Sequence, residues 1–344
     1  MEPTARLPIA PADPVVDRRG RPLRELRVSV TDRCNFRCGY CMPRAAFPAG
    51  HRFLPRREIL DFEEIARVVG VLAGLGVEKV RLTGGEPLLR AELPELVRLL
   101  AAAGPVDLAL TTNGTRLVAL AAPLRDAGLR RITVSLDSVD PATFQAMTDT
   151  DVDPGLILAG IDAAVRSGLS PVKVNAVVRR GVNDAGVVDL ARRFHGTGVV
   201  VRFIEYMDVG TTNGWSAAEV VPAREIVERV DRVLPLEPLP ARRGDVARRY
   251  RYRDGGGEIG VVASVTEPFC GGCGRARLSA DGHLYTCLFA TAGEDLRPLL
   301  RGGATDGEIG ARLASLWTAR EDRYSELRAE AKPRRRIEMS YIGG

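Results

Sequence analysis

The residues with the clearest chemical capacity are six cysteines, which fall in two groups of three. The first group, a C-x3-C-x2-C run, has Tyr40 directly before its last cysteine and consists of Cys34, Cys38 and Cys41. The second group has C-x2-C-x13-C spacing and consists of Cys270, Cys273 and Cys287. The stretch Met1 to Ala12 lacks the apolar core of a secretory signal, so we expect a cytoplasmic protein. In that compartment, such spacings indicate metal or redox chemistry before disulfides.

The number three distinguishes between two kinds of metal site. A structural zinc ion takes four ligands, whereas an iron-sulfur cluster held by three thiolates leaves one iron open. His51 and His195 are too scattered in the sequence to complete a zinc site, and we interpret them as surface or turn residues. His283 lies between Cys273 and Cys287, so a Cys3His zinc site in the second group remains an alternative.

Composition indicates a globular protein with a basic surface or pocket. The chain has 344 residues, of which 45% are hydrophobic, and no apolar run is long enough to cross a bilayer. The net charge of +5 fits either nucleic acid or a basic pocket for a small anion. The basic residues are spread along the chain, which favours the pocket. Only three are lysines, and Lys173 lies inside a predicted strand.

Strand and helix patterns alternate through the first two thirds of the chain. Parallel pairing with right-handed crossovers follows, and we predict an α/β fold with a partial (βα)6 barrel of the TIM type. Polar residues and glycines at the strand ends would then form a ligand-facing rim. The predicted strands are Leu26 to Thr31, Lys79 to Thr83, Asp107 to Thr111, Arg131 to Leu136, Val172 to Val178 and Val199 to Tyr206.

The pattern changes after Met207. A helix is predicted from Pro222 to Val233 and another from Asp306 to Arg320, with strands at Arg248 to Arg253 and Ile259 to Ser264. We expect a flexible leader over residues 1–21, the partial barrel over residues 22–215, and a C-terminal region over residues 216–344 that carries the second cysteine group and ends in Gly343 and Gly344.

The first cysteine group resembles the loop of radical S-adenosylmethionine (SAM) enzymes. The G-G-E-P run from Gly84 to Pro87, at the end of the second predicted strand, resembles the methionine-binding motif of the same superfamily. The resemblance implies a 4Fe-4S cluster on the three cysteines, whose open iron binds SAM and cleaves it to methionine and a 5′-deoxyadenosyl radical. It also implies four SAM contacts, at Tyr40, Gly85, Ser135 and Met207.

The surroundings of the second cysteine group indicate a particular family within this superfamily. Its R-x-R run, together with the Gly-Gly end, resembles the GTP 3′,8-cyclase family of molybdenum cofactor biosynthesis, from about Leu23 to the last residue. The resemblance implies a second 4Fe-4S cluster and a lyase reaction in which hydrogen abstraction at C3′ of GTP leads to 3′,8-cyclo-7,8-dihydro-GTP. The implied substrate contacts are Arg27, Arg81, Thr112, Lys173, Arg275, Ala276 and Arg277, and the implied catalytic residues are Arg275, Arg277, Gly343 and Gly344.

Buried cations without partners are costly, and an anionic ligand explains arginine and lysine inside the strands. The resemblance leads us to expect a polar residue such as Asp or Asn directly after Cys273, but this chain has Gly274 there, which leaves the local contacts open. The resemblance also implies a reducing electron donor, a homodimer and a downstream pyranopterin-forming enzyme, with no nucleic acid and no membrane.

Two alternatives remain from sequence. One is a different radical SAM enzyme with an auxiliary cluster, for example one that matures peptides. The other is a non-catalytic zinc or nucleic-acid-binding protein that uses the C-x2-C pair and the basic tail.

Overall fold

A computed structural model of the chain describes residues 14–104, 106–241, 245–330 and 335–343. The predicted catalytic residue Gly344 and the first part of the predicted leader, residues 1–13, lie outside the described residues. Within the described ranges, no helix is long and apolar enough to span a bilayer.

The six predicted barrel strands are present, and each pairs in parallel with the next. Two strands have the predicted bounds, and the other four differ by one or two residues at the ends, as expected for pattern-based boundaries. The strands are β1 (Glu25–Ser29), β2 (Lys79–Thr83), β3 (Asp107–Thr112), β4 (Arg131–Ser135), β5 (Val172–Val178) and β6 (Val200–Glu205).

The C-terminal region extends this sheet at both edges, which the sequence pattern did not predict. Strand β9 pairs in parallel with β6, and β10 pairs in parallel with β1. The sheet order is β12-β11-β10-β1-β2-β3-β4-β5-β6-β9-β8-β7. The added strands are β7 (Leu236–Pro238), β8 (Arg248–Tyr252), β9 (Glu258–Val262), β10 (Arg275–Leu278), β11 (His283–Tyr285) and β12 (Glu294–Asp295).

Helices cover the outer face of the sheet, and their apolar sides form one core with the strands. The helices are α1 (Phe62–Gly74), α2 (Leu93–Ala102), α3 (Leu117–Asp126), α4 (Pro141–Thr148), α5 (Pro154–Arg166), α6 (Val187–Phe194), α7 (Ala223–Asp231), α8 (Arg297–Arg301), α9 (Asp306–Thr318) and α10 (Met339–Ile342). Asp61 caps α1 with a reciprocal bond to Glu64.

The described end of the expected flexible leader is packed against the rest of the protein. Asp17 and Arg21 are buried, with 4% and 2% of their surface exposed. The Val15 amide donates to the Leu75 carbonyl, and the Trp317 indole donates to the Arg21 carbonyl. The expectation of flexibility is therefore wrong for residues 14–21, because their polar groups have buried partners that Pro-rich, charged composition does not reveal.

Candidate active site

The pairing register collects charged side chains on the inner face of the partial barrel. Arg27 of β1 pairs with Arg81 of β2 on one side and with Arg277 of β10 on the other. Side chains alternate between the two faces of a strand, so residues in register on neighbouring strands share one face. The alternation of side chains along each strand therefore places Glu25 and Lys79 on the same inner face as Arg27 and Arg81.

A cavity opens on this inner face, beside the second cysteine group. Its lining includes all three second-group cysteines, Met207, Met339 and a set of polar residues. The polar lining residues of the strands are Glu25, Arg27, Lys79, Arg81, Thr111, Asn175, Arg202, Arg275 and Arg277. Cations therefore dominate the strand-derived polar surface of the cavity.

Glu25 balances only part of this positive charge. Its carboxylate lies 3.3 Å from Lys79 Nζ, 3.5 Å from Arg27 Nε and 3.8 Å from Arg81 Nε. Burial raises the pKa of Glu25, but Arg27 and the neighbouring cations outweigh that effect and hold it well below its usual range. Burial lowers the pKa of Arg27 to about 10, and among the described residues the buried Arg27 Nε has no hydrogen-bond partner. An anionic ligand would supply the missing acceptors.

Two further cations, Arg202 and Lys173, lie on the same face of the sheet, on strands β6 and β5. Arg202 donates from Nε to the Asn175 side-chain oxygen at 2.9 Å, and burial lowers its pKa to about 9. Lys173 lies two residues before Asn175 on β5, on the same face of the sheet, but it is not part of the cavity lining. Burial, then Arg202 and Lys79, lowers the pKa of Lys173 to about 8.

The side chains of two predicted substrate-binding residues make other contacts in the structure. The Thr112 hydroxyl donates to Glu86 Oε1 at 2.6 Å and accepts from the Gly114 amide. The neighbouring Thr111 instead lines the cavity and accepts a bond from Arg81 at 3.0 Å. Ala276 is fully buried in the hydrophobic core, so its side chain does not reach the cavity.

The first cysteine loop is held against the Gly-Gly-Glu-Pro run by backbone contacts. The Gly85 amide donates to the Thr31 carbonyl, and the Glu86 amide donates to the Arg33 carbonyl. A Cβ on Gly85 would lie 2.3 Å from the Arg33 carbonyl oxygen, and one on Gly84 would lie 2.4 Å from the Thr31 carbonyl oxygen. Only glycine permits this approach. The amide of Gly85 therefore positions the loop, and its predicted SAM contact remains a prediction.

Carboxylates surround the first cysteine loop. Tyr40 donates its hydroxyl to Asp137 at 2.8 Å, and burial raises the pKa of Asp137 to about 6. Burial also raises the pKa of Cys34 to about 11. The pKa values of Cys38 and Cys41 are raised as well, first by burial and then by neighbouring negative groups. Ser135 lies at the inner face where β4 ends, and Met207 follows β6 at the cavity wall.

The second cysteine group lies in a more positive environment. Burial alone would raise the pKa of Cys273, but the Arg275 and Arg320 guanidinium groups lower it to about 6. Arg275 also lies over the ring of Phe269, 5.3 Å from its centroid. For Cys287, burial and then Asp322 raise the pKa to about 11.

The C-terminal segment enters the barrel and reaches the R-x-R run. Arg277 donates to the Gly343 carbonyl, and also to the Ile342 carbonyl at 3.3 Å. Gly343 has φ of +68°, and a Cβ there would lie 2.2 Å from Thr83 Cγ2. Glu338 fastens the segment by accepting from the Thr211 amide and from the hydroxyls of Thr211 and Thr212, each at 2.9 Å.

The donor sets fit iron-sulfur clusters better than zinc. In the part of the chain that the structure describes, no group of three or more His, Cys, Asp or Glu side chains is arranged to bind one metal ion. A cluster does not require that arrangement, because each cysteine binds a different iron. His283, the candidate fourth ligand of a zinc site in the second group, lies on β11 with its Nδ1 3.1 Å from the Asp281 carboxylate. The Cys3His zinc alternative is not supported.

Comparisons with known proteins agree with this architecture. Residues 28–194 match the Radical SAM superfamily, and residues 199–326 match the family Molybdenum Cofactor Synthesis C. The chain is thus a radical SAM enzyme, a class that implies a 4Fe-4S cluster and SAM.

Curated relatives place it more narrowly. A GTP 3′,8-cyclase of Acidothermus cellulolyticus is 54% identical, covering 96% of this chain and 99% of the relative. One from Xanthomonas axonopodis pv. citri is 51% identical with the same two coverages. The chain belongs to the GTP 3′,8-cyclase family. Among solved structures, Streptococcus suis SuiB bound to S-adenosylmethionine has a TM-score of 0.60 at 16% identity and covers 94% of this chain and 76% of that one, which shows the fold alone.

Several polar residues of the cavity were not predicted as site residues. A usable signal was present in strand parity, because Glu25 lies two positions before Arg27, and Lys79 two before Arg81. Arg202 had no such neighbour among the predicted residues. Its inward direction follows from the register between β5 and β6, which pairs it with Asn175.

Proposed function

We propose that this protein converts GTP to 3′,8-cyclo-7,8-dihydro-GTP, with cleavage of SAM to methionine and 5′-deoxyadenosine, in molybdenum cofactor biosynthesis. The observation that carries the proposal is the cation-lined cavity between the barrel strands and the second cysteine group, in a member of this family. A nucleoside triphosphate is the kind of ligand that so many inward-facing guanidinium groups suit.

The proposed cofactors are two 4Fe-4S clusters and SAM. Cys34, Cys38 and Cys41 would hold the first cluster, and Cys270, Cys273 and Cys287 the second. When bound, the first cluster and SAM supply one-electron cleavage chemistry that generates a hydrogen-abstracting radical. The proposed SAM contacts are Tyr40, Gly85, Ser135 and Met207.

The protein's own groups bind and orient the nucleotide. Arg27, Arg81 and Lys173 would hold the triphosphate together with Lys79 and Arg202, which the structure adds to the same face. The second cysteine group at the cavity wall lies where the guanine would be held, beside Arg275 and Arg277. Holding the ribose and the base in one fixed arrangement favours ring closure between them.

The C-terminal segment would complete the cavity. Gly343 lies beside Ser29 and Thr83 at the end of the first two strands and accepts from Arg277. These contacts support the proposed catalytic roles of Gly343 and Arg277, and those of Gly344 and Arg275 are proposed from the family resemblance. The electron donor, a homodimer, a downstream pyranopterin-forming enzyme and a cytoplasmic location remain proposals from the family resemblance.

The test is an anaerobic assay of the reconstituted full chain with SAM, dithionite and GTP. We expect 5′-deoxyadenosine and cyclic dihydro-GTP in equal amounts, with little deoxyadenosine when GTP is omitted. Deoxyadenosine released at the same rate with or without GTP, and no nucleotide product, would contradict a GTP cyclase. Iron and sulfide counting on the same sample tests the two clusters, and zinc without sulfide would contradict both.

A further inference from the structure

A group of three buried charges lies behind the second cysteine group. Asp17, Arg21 and Arg320 have 4%, 2% and 5% of their surface exposed. Arg21 Nε lies 2.6 Å and Arg320 Nη1 lies 3.0 Å from the same oxygen, Asp17 Oδ2. Burial of ionised groups costs several kcal/mol per ion unless further hydrogen bonds satisfy them, so the remaining partners of the two arginines are informative.

Those partners include Asp322 and the backbone carbonyls at the cysteines. Arg21 Nη1 donates to the Cys270 carbonyl at 2.9 Å, and Arg320 Nη1 donates to the Cys273 carbonyl at 2.7 Å. Arg320 Nε donates at 3.0 Å to the carbonyl of Thr286, whose peptide bond leads into Cys287. One carboxylate therefore orients two guanidinium groups that contact the backbone at all three cysteines.

The group is fixed independently of the cysteines. Asp17 Oδ1 accepts from the amides of Arg19 and Arg21, which sets the turn that carries both charged side chains. The Leu23 amide donates to the Val15 carbonyl and closes this turn onto the start of β1. Neither Asp17 nor Arg21 lines the cavity or lies within residues 28–194 or 199–326.

We propose that Asp17 and Arg21, through Arg320, are positioning residues that hold the second cysteine group in the geometry that accepts its cluster. This inference rests on the proposed second cluster. The three cysteines come from two separate segments, residues 270–273 and residue 287, and the Asp17 group connects both. Without it, the two segments lose the hydrogen bonds that fix the spacing of their thiols, while the first cysteine loop keeps all its own contacts.

The test compares iron content in the full chain after anaerobic reconstitution. The wild type should hold about eight irons per chain, and Asp17→Asn and Arg21→Leu should each hold about four, because one 4Fe-4S cluster is lost. Binding of SAM by the variants should be unchanged, which shows that the first cluster and the fold survive. Arg18→Ala is the matched control, since Arg18 belongs to the same turn but pairs with Glu321 at the surface.

The outcomes separate this inference from the proposed function. A wild type with only about four irons contradicts the second cluster itself. A wild type with eight irons, and variants that keep all eight with unchanged resistance to a chelator, overturns the role of Asp17 and Arg21. Equal loss of both clusters in Asp17→Asn and in the milder Arg21→Lys also overturns it, because the group would then support the whole fold.

Discussion

The two cysteine groups differ in the charges that surround them. At the first group the negative groups that raise the thiol pKa values after burial include Glu86, Asp137 and Glu338, and Arg37 acts in the opposite direction on Cys34. At the second group Arg275 and Arg320 lower the pKa of Cys273 to about 6, against the effect of burial, whereas Asp322 raises that of Cys287. The first group therefore has more negative neighbours, and Cys273 of the second group has positive ones.

This difference matches the two proposed ligands. SAM carries a positively charged sulfonium and an ammonium group, whereas GTP carries a triphosphate. A cation is favoured near the carboxylates of the first site, and an anion near the arginines of the second. Each ligand would thus be directed to its own cluster by charge, before any shape-specific contact is made.

The C-terminal segment connects the two environments, and its removal should have the largest effect. Glu338 contributes to the negative surroundings of Cys41, and Gly343 contacts Arg277 at the positive side. Deleting Gly343 and Gly344 should abolish cyclase activity, because Arg277 loses its bond to the Gly343 carbonyl and retains from the tail the longer bond to the Ile342 carbonyl at 3.3 Å. Iron content and SAM binding should stay at wild-type values.

A milder form of this experiment is Gly343→Ala. Its added methyl group meets Thr83, and its φ of +68° is unfavourable for alanine, so the segment must shift. Activity should fall strongly without loss of iron. Full activity after the two-residue truncation would show that the tail does not take part in the reaction.

Removing one cation from the arginine-lined cavity should weaken the binding of GTP and leave the binding of SAM unchanged. Arg27→Gln removes a buried guanidinium whose Nε has no hydrogen bond to the described residues, and we expect about a 30-fold loss of GTP affinity, as for one charge-assisted hydrogen bond of about 2 kcal/mol. Calorimetry with GTP and, separately, with SAM measures the two affinities. Arg24→Gln is the control, because Arg24 precedes the same strand but pairs with Glu78 at the surface. Equal losses for GTP and SAM would contradict the separation of charge.

Sequence patterns predicted the six barrel strands well because each is a short buried run between polar ends. They missed the extension of the sheet, since pairing of β10 with β1 joins residues about 250 positions apart and leaves no local signal. The same holds for the Asp17 group, in which residue 17 meets residue 320. Thr112 came from the family resemblance as a substrate contact, and its hydroxyl bonds to Glu86 in the structure, whereas the neighbouring Thr111 lines the cavity.

Neutralising one carboxylate beside the first cysteine group should weaken the binding of SAM. Asp137→Asn keeps the size of the side chain but removes its charge beside Tyr40 and the first cysteine loop. We expect SAM to bind about 10-fold more weakly, which corresponds to about 1.4 kcal/mol, and GTP to bind normally. Equilibrium binding of SAM to the anaerobic protein measures the effect, with Asp162→Asn on the exposed side of α5 as the control. An unchanged SAM affinity would show that this carboxylate is structural.

The smallest expected effect is a pH dependence of GTP affinity that comes from Lys173. Burial and neighbouring cations lower the pKa of Lys173 to about 8, so the free protein loses this charge as the pH rises through 8. The triphosphate favours the charged form, and GTP affinity should therefore fall about threefold between about pH 7.5 and 8.5. Lys173→Arg keeps its charge and should flatten this profile. Without GTP the sign reverses: unfolded lysine holds its proton up to 10.5, so the contribution of Lys173 to the free energy of unfolding rises with pH above 8. A profile that is equally steep in Lys173→Arg would assign the titration to another group.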